Sequence, residues 1–203
     1  MVMAMRVRCA VLAAGLGAPA VGAAQSVRPM LAVGGGLLVA NGAYHSDQNE
    51  DGFNTGWQGM MLVGAELHRR RVVVRVNASY GQNGAGEKLK GDLSNSLGQP
   101  TDAKVTLLGA TLDVAWEFGR SFRRGYLFGG GGPYHVRMAV TSGGVTADTT
   151  ATKFAWNVGG GVTWDARSTT LFLEVRYCHV AAAFGAPAVT VMPISAGIRF
   201  GGR

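Results

Sequence analysis

Hydrophobic and polar residues alternate along much of this chain with a period of two. The alternation is clearest over Thr152–Asp165, where every second residue is apolar or aromatic and the others are mostly polar or glycine. A period of two places successive side chains on opposite faces of a β-strand. The segment therefore predicts a strand with two chemically different faces, and its apolar face spans about 33 Å between Phe154 and Trp164.

The same alternation predicts eight strands after residue 25. They are Pro29–Ala40, Gly56–His68, Val72–Gly81, Ala103–Glu117, Tyr126–Met138, Thr152–Asp165, Thr169–Val180 and Val189–Phe200. Long loops (41–55, 82–102, 139–151, 181–188) alternate with short turns (69–71, 119–125, 166–168). An even strand count, strands of about 9–11 residues or more and this alternation are typical of outer-membrane β-barrels, whose tilted strands cover an apolar band about 25 Å tall.

The distribution of charge predicts which face of the barrel points outward. One face carries a balanced set of acids and bases: Glu66, Arg75, Asp113, Glu117, Arg137, Lys153, Asp165, Glu174, Arg176 and Arg199. The other face carries the larger aromatic residues: Trp57, Tyr80, Trp116, Tyr126, Phe154, Trp164 and Phe200. With the opposite register, Arg75 and Arg176 would face lipid at about 2–4 kcal/mol each. We therefore expect a charged network in the lumen and aromatic residues toward lipid.

The N-terminal residues have the layout of an export signal. Arg6 and Arg8 precede an apolar run, Ala10–Ala24, that is too short to span a membrane. We expect a signal peptide at 1–24 and one barrel domain at 25–203. Removing the signal would lower the formal charge from +7 to about +5. It would also leave Cys178 as the only cysteine, which excludes an intrachain disulfide.

The last predicted strand carries the most specific local pattern. Met192, Ile194, Ala196, Ile198 and Phe200 share one face and end in an aromatic residue. This strand, together with the signal and the eight-strand pattern, resembles the small outer-membrane β-barrel family (the OmpA/OmpX-like transmembrane domains).

That resemblance implies an all-β, eight-stranded antiparallel up-and-down transmembrane β-barrel in the cell outer membrane. It also implies insertion by the barrel assembly machinery, which would read the terminal strand, and contacts with outer-membrane lipids and lipopolysaccharide. Residues 201–203 depart from the family pattern, which usually stops at the aromatic residue.

Two local motifs suggest ligands only weakly. Asp47, Asn49 and Asp51, followed by Gly52, match the first half of a calcium-binding loop, but the twelfth position is Gln58 instead of a bidentate Glu. A solvated outer loop is favoured, and calcium binding is left open. The glycine runs at 34–36, 129–132 and 159–161 lack the setting of a phosphate cradle and predict curvature or space for bulky neighbours.

Arginines concentrate in the predicted short turns: Arg69, Arg70, Arg71, Arg120, Arg123, Arg124 and Arg167. The charge alone would fit a nucleic-acid patch. The topology places these turns in the periplasm, so we expect contact with anionic lipid headgroups and no nucleic-acid partner.

His179 is the one enzyme-like residue. It resembles the His of the His-x-Ser motif in outer-membrane lipid A deacylases, but Ala181 occupies the position of the nucleophile. We expect no catalytic site, cofactor or metal, and a structural or surface-interaction role with an unidentified loop partner. A lipid A-modifying enzyme and a narrow channel remain alternatives, whereas a soluble lipocalin-like binder would require an apolar interior.

Overall fold

The computed structural model describes residues 27–42, 52–67, 71–119, 123–182 and 188–201. The expected signal peptide, the calcium-like positions 47–51 and turn residues 68–70 and 120 lie outside this part of the chain. Among the described residues, no helix is long and apolar enough to cross a membrane.

Eight antiparallel strands form a closed up-and-down barrel, as predicted, because each strand pairs with the next and the last pairs with the first. The elements are β1 (Val27–Asn41), β2 (Gly56–Leu67), β3 (Val72–Gly84), α1 (Glu87–Leu97), β4 (Thr101–Phe118), β5 (Arg123–Ser142), β6 (Val145–Ala166), β7 (Thr169–Val180) and β8 (Val189–Gly201). The end of the barrel at which β1, β3, β5 and β7 terminate is called the loop end, and the opposite end is called the turn end.

The strand register sets the width of the barrel. Following paired residues once around the sheet from Met30 leads back to β1 at Ala40, a shift of ten residues. That shift is about 33 Å along a strand, against about 38 Å across eight strands. The strands are therefore tilted by about 40°, and the backbone diameter is about 16 Å, which leaves room inside for side chains only.

Burial alternates along the strands, and the apolar face is the exposed one. On β4, for example, Asp113 is fully buried while its neighbour Leu112 is 56% exposed. Exposed aromatic residues lie at two levels of the outer wall. Trp57, Tyr80, Phe154 and Trp156 lie toward the loop end, and Trp116, Phe118 and Phe200 toward the turn end. On β6, the ten residues from Phe154 to Trp164 give a height of about 25 Å between these levels at this tilt.

The prediction of a long loop at 139–151 is wrong. β5 continues to Ser142 and β6 begins at Val145, so only Gly143 and Gly144 form the turn, with φ of 54° and 81°. Two successive positive φ values suit a two-residue hairpin of Gly-Gly. The alternation of hydrophobic residues disappears in the second arm of this hairpin because residues 145–150 are exposed on both faces. Its polar residues therefore resemble a loop in sequence.

The predicted loop at 82–102 is also wrong in its interior, because it contains α1. Leu89 and Leu93, one helical turn apart, pack on the apolar core at the loop end of the barrel. The helix ends at Gly98, which has φ of 68° and donates its backbone N–H to the carbonyl of Ser94. An eleven-residue helix with so few apolar positions has little periodic signal.

The faces of the fifth strand are the reverse of those predicted. Tyr126 points into the lumen and is buried, whereas Leu127 is 57% exposed. Arg137 consequently lies on the outer face. The four glycines at 129–132 interrupt the alternation of apolar and polar side chains. The sequence therefore does not show which residues of the two halves of the strand share a face.

Candidate functional site: the charged barrel interior

Four charged side chains meet at the centre of the lumen, and we call them the central cluster: Arg75, Asp113, Glu174 and Arg176. Arg75 Nη2 donates to Glu174 Oε2 at 2.7 Å. Arg176 Nη2 lies 3.0 Å from both Asp113 Oδ2 and Glu174 Oε1. Arg75 Nε completes the ring of pairs at 3.6 Å from Asp113 Oδ2. The cluster holds two positive and two negative charges and is formally neutral.

Strand pairing and alternation position the members of the central cluster. Arg75 on β3 is directly paired with Asp113 on β4, and both point inward. Glu174 and Arg176 lie two residues apart on β7, so they share its inward face. β7 pairs with β6 and β8, not with β3 or β4. The Arg75–Glu174 hydrogen bond therefore crosses the interior of the barrel.

Aromatic and amide side chains complete the central cluster. Tyr126 donates its hydroxyl to Glu174 Oε2 at 3.0 Å, and Asn157 donates to Asp113 Oδ1 at 3.1 Å. The Phe128 ring lies 4.3 Å from the Arg75 guanidinium carbon and 4.8 Å from that of Arg176. The sequence analysis predicted that Tyr126 faces lipid. It therefore missed the contacts that Tyr126 and Phe128 make with the central cluster.

A second group of ion pairs, the turn-end cluster, consists of Glu66, Glu117, Arg124, Asp165 and Arg199. Arg199 binds Glu66 at 2.8 Å and also contacts Glu117. Arg124 Nη1 lies 2.9 Å from Glu117 Oε2, and Arg124 Nη2 lies 3.5 Å from Asp165 Oδ1. Arg124 was expected to contact lipid headgroups from a turn. It instead points inward, because it shares the parity of Tyr126 on β5.

Two predicted lumen residues stand apart from these clusters. The expectation for Arg137 is wrong: its side chain is 54% exposed and pairs with Asp148 at 3.0 Å on the outer face. Lys153 has the inward parity of β6 and is half-buried, but it forms no ion pair with an acid in the described part of the chain. It lies nearer the loop end, one inward position beyond Ala155.

Apolar residues occupy most of the rest of the described interior, together with a few buried polar side chains such as Gln58, Asn83 and Ser195. One group lies between the two charged clusters and surrounds a cavity of about 20 Å³, room for about one water molecule. A larger group, the apolar plug, fills the lumen toward the loop end. The plug consists of Leu38, Ala40, Phe53, Ala85, Ala103, Val105, Leu107, Tyr134, Val136, Ala155, Cys178, Val180 and Val191. Charged and apolar layers thus alternate along the barrel axis.

His179 has the outward parity of β7 and no complete catalytic arrangement around it. Its Nδ1 lies 3.2 Å from Thr190 Oγ1, and its ring centroid lies 5.6 Å from that of Trp156. Within the described residues, no acid is hydrogen-bonded to the ring, so it lacks the group that orients a catalytic histidine. The described residues also contain no group of three metal-binding side chains.

The terminal strand β8 closes the barrel on β1. Met192, Ile194, Ile198 and Phe200 pair with Val39, Leu37, Val33 and Leu31, respectively. Ile198 and Phe200 are exposed on the outer wall. The last strand is therefore the one that seals the sheet.

Comparisons with known proteins agree with this architecture. A family model described as "Outer membrane protein beta-barrel domain" matches residues 9–200. Neisserial surface protein A has a similar structure, with a TM-score of 0.54 and 18% identity over 86% of this chain and 96% of that one. A major outer membrane protein from Thermus thermophilus gives a TM-score of 0.60 and 11% identity over 87% and 100%. A comparison with curated proteins gave no match.

Proposed function

Because this chain belongs to the family of outer membrane protein β-barrel domains, we propose that it is a closed, non-enzymatic barrel with a structural or surface-interaction role. The chain lies in the cell outer membrane, in keeping with its family and its structural neighbours. The observation that carries the proposal is the filled interior. Two ionic clusters, an apolar layer and the apolar plug occupy a lumen that is only about 16 Å across between backbones.

The ends of β3–β6 continue beyond the barrel toward the loop end, and we call them the projecting sheet. The projecting sheet is the part of the molecule that supports the interaction role. β5 and β6 stay paired as far as Ser142 and Val145, while β6 pairs with β7 only from Ala155 onward. Residues 145–153 thus continue the strand for about 30 Å beyond Phe154, measured along the strand. This projecting sheet offers exposed backbone and side chains outside the membrane, as surfaces that bind other proteins do.

The route to this location follows from the sequence. We propose that residues 1–24 direct export and are removed. The barrel assembly machinery then recognises β8 through Met192, Ile194, Ile198 and Phe200, and lipopolysaccharide surrounds the outer half of the folded wall. The partner of the projecting sheet is a separate molecule at the cell surface.

Planar-bilayer recording tests the closed interior. Protein that runs as a folded species on unboiled gels should give no stable unitary conductance steps, because the charged and apolar layers leave no continuous water path. A general porin inserted under the same conditions is the positive control. Reproducible steps from the folded protein would overturn the proposal in favour of a narrow channel, and release of acyl chains from purified lipid A would overturn its non-enzymatic part.

Epitope insertion tests which end faces the outside of the cell. An epitope between Gly143 and Gly144 should be labelled by antibody on intact cells. The matched control is the same epitope between Arg167 and Ser168 in the β6–β7 turn, which should be labelled only after permeabilisation. The reverse pattern would refute the proposed role of the projecting sheet.

A further inference from the structure

The turn end of the barrel carries more arginines than acidic residues. Outside the central cluster, the described residues at this end include six arginines and three acids: Arg28, Arg71, Arg123, Arg124, Arg167, Arg199, Glu66, Glu117 and Asp165. Six positive and three negative charges give a formal net charge of +3. All three acids belong to the turn-end cluster, in which Arg124 and Arg199 contact them. The positive excess consequently lies with the four other arginines.

These four residues, Arg28, Arg71, Arg123 and Arg167, are called the arginine ring because they recur at every second strand. Arg28 lies in β1, Arg71 directly precedes β3, Arg123 is the first residue of β5, and Arg167 lies two residues before β7. All four are exposed. On a barrel about 16 Å across, neighbouring members are about 13 Å apart around the circumference, measured between backbones. The ring thus presents four separate, evenly spaced positive charges.

Two members of the arginine ring have an unfavourable backbone conformation. Arg71 has φ of 53° and Arg167 has φ of 52°, and among the described residues no other non-glycine residue has a positive φ. A left-handed conformation suits glycine or asparagine, whereas the Cβ of other residues crowds the following carbonyl oxygen. The geometry of these two turns therefore does not favour arginine. Strained residues of this kind are concentrated at functional sites.

The arginine ring borders the mouth of the lumen. Arg28 is directly paired with Glu66, whose side chain is buried in the turn-end cluster. The carbonyl oxygen of Arg71 accepts a hydrogen bond of 2.8 Å from the backbone N–H of Glu117, another member of that cluster. A partner that approaches along the barrel axis can therefore reach several members together. A lipid beside the wall can reach only one, because neighbouring members are about 13 Å apart.

We propose that the arginine ring binds a polymer that carries carboxylates at intervals, such as the peptide-bearing polymer of the periplasmic cell wall. A guanidinium group forms two parallel hydrogen bonds with a carboxylate, and it stays charged at physiological pH. One such contact in water is weak. Four contacts with one polymer are much stronger together, because the first contact raises the local concentration of the next carboxylate. Evenly spaced charges also match a repeating polymer better than a single acidic peptide.

The periplasmic location of this partner rests on the proposed function, because export and the projecting sheet place the turn end in the periplasm. Binding to the purified polymer does not depend on that orientation. Failure of the binding test would therefore leave the closed interior and the expected epitope pattern standing, and failure of those would leave the binding test standing.

Co-sedimentation with purified cell-wall sacculi tests the arginine ring. The folded protein is held in nanodiscs of phosphatidylcholine, whose headgroup has no net charge, so that both ends of the barrel are accessible. Arg71→Asn/Arg167→Asn should bind sacculi about tenfold more weakly than the parent, because it removes two of the four contacts. Its stability in urea should not decrease, since asparagine adopts a left-handed backbone more readily than arginine. Weaker binding with undiminished stability separates ligand binding from a structural role, and unchanged binding would overturn the proposal.

Three controls make the test specific. Lys88→Gln/Lys104→Gln removes two charges from the loop end and should leave binding within about twofold of the parent, because salt screens charges far from the ring. Equal weakening in this control would reduce the effect to net charge and overturn the site. Sacculi whose carboxyl groups have been converted to neutral amides should not bind the parent, and retained binding would overturn carboxylates as the ligand. Nanodiscs that contain anionic phosphatidylglycerol should bind sacculi as before, and loss of binding there would assign the arginine ring to lipid headgroups and overturn the polymer.

Discussion

The buried ion pairs of the central cluster and the exposed ion pairs outside the barrel, at Lys90 and at Arg137, use the same residue types in opposite surroundings. Glu174 is 2% exposed and contacts two guanidinium groups and a tyrosine hydroxyl. Lys90 on α1 pairs with Glu87 at 3.3 Å and with Asp102 at 3.6 Å, and all three side chains are open to solvent. Water screens the second set and is excluded from the first. The comparison teaches that burial, not the number of pairs, determines the energetic weight of each charge.

The central cluster contributes stability only while it is complete. Removing charges from water is costly, and their mutual attraction offsets that cost when the geometry and the hydrogen bonds are good. Here each guanidinium has a carboxylate partner, and Phe128 lies against both Arg75 and Arg176. Loss of one member would leave a charge buried without its partner. An exposed pair has no such penalty, because water takes the place of the missing partner.

The largest expected effect is therefore that of Glu174→Ala. This change leaves Arg75 and Arg176 with Asp113 as their one shared carboxylate, so the buried cluster keeps a net positive charge. It should lower the free energy of unfolding by about 3–5 kcal/mol. Equilibrium urea unfolding in lipid vesicles, followed by gel migration of the unboiled protein, measures the change. The matched control is Asp148→Ala in the exposed pair with Arg137, which should cost less than about 1 kcal/mol. Equal losses in the two variants would contradict the comparison.

The second expected effect concerns the space beside the aromatic ring of the central cluster. Gly159 faces the lumen, and a Cβ there would lie 2.5 Å from Phe128 Cζ and closer still to the carbonyl oxygen of Val175. Gly159→Ala should therefore displace Phe128 and cost about 1–3 kcal/mol. Gly129→Ala is the control, since a Cβ there meets only the carbonyl oxygen of Asn157 at an ordinary 3.6 Å. Equal stability of the two variants in the same unfolding assay would show that Phe128 is not confined by Gly159.

Apart from the reversed faces of β5, the membrane-embedded part of the fold could be predicted from sequence because its two faces are in different media. β7 was predicted with the same bounds as in the structure, Thr169–Val180, since Leu171 and Leu173 alternate there with charged and aromatic residues. The signal is lost where residues 145–150 are exposed on both faces, and it is weak in α1, where Leu89 and Leu93 alone mark the packed side. The hairpin around Gly143 and Gly144 and the helix α1 were consequently both assigned as loops.

The interior could be predicted only as a set of residue types. Alternation identified Arg75, Asp113, Glu174 and Arg176 as candidates for the lumen. The alternation does not show which lumen residues meet across the barrel. Arg75 on β3 and Glu174 on β7 form a hydrogen bond although they are 99 residues apart in the chain. The aromatic residues around them depend on the parity of β5, which the run of glycines concealed.

The smallest expected effect is at Lys90, in the exposed member of the comparison. The hydrogen bond to Glu87 and the charge of Asp102 raise the pKa of Lys90 above its ordinary value. A raised pKa in the folded state means that this lysine stabilises α1 fully below its ordinary pKa of 10.5. The contribution is then lost as pH rises through the raised value. Amide exchange of α1 should therefore accelerate slightly more above pH 10.5 in the parent than in Lys90→Met, after correction for intrinsic exchange, while exchange in β7 stays the same in both. Identical pH profiles for α1 would show that even this solvent-screened pair contributes nothing.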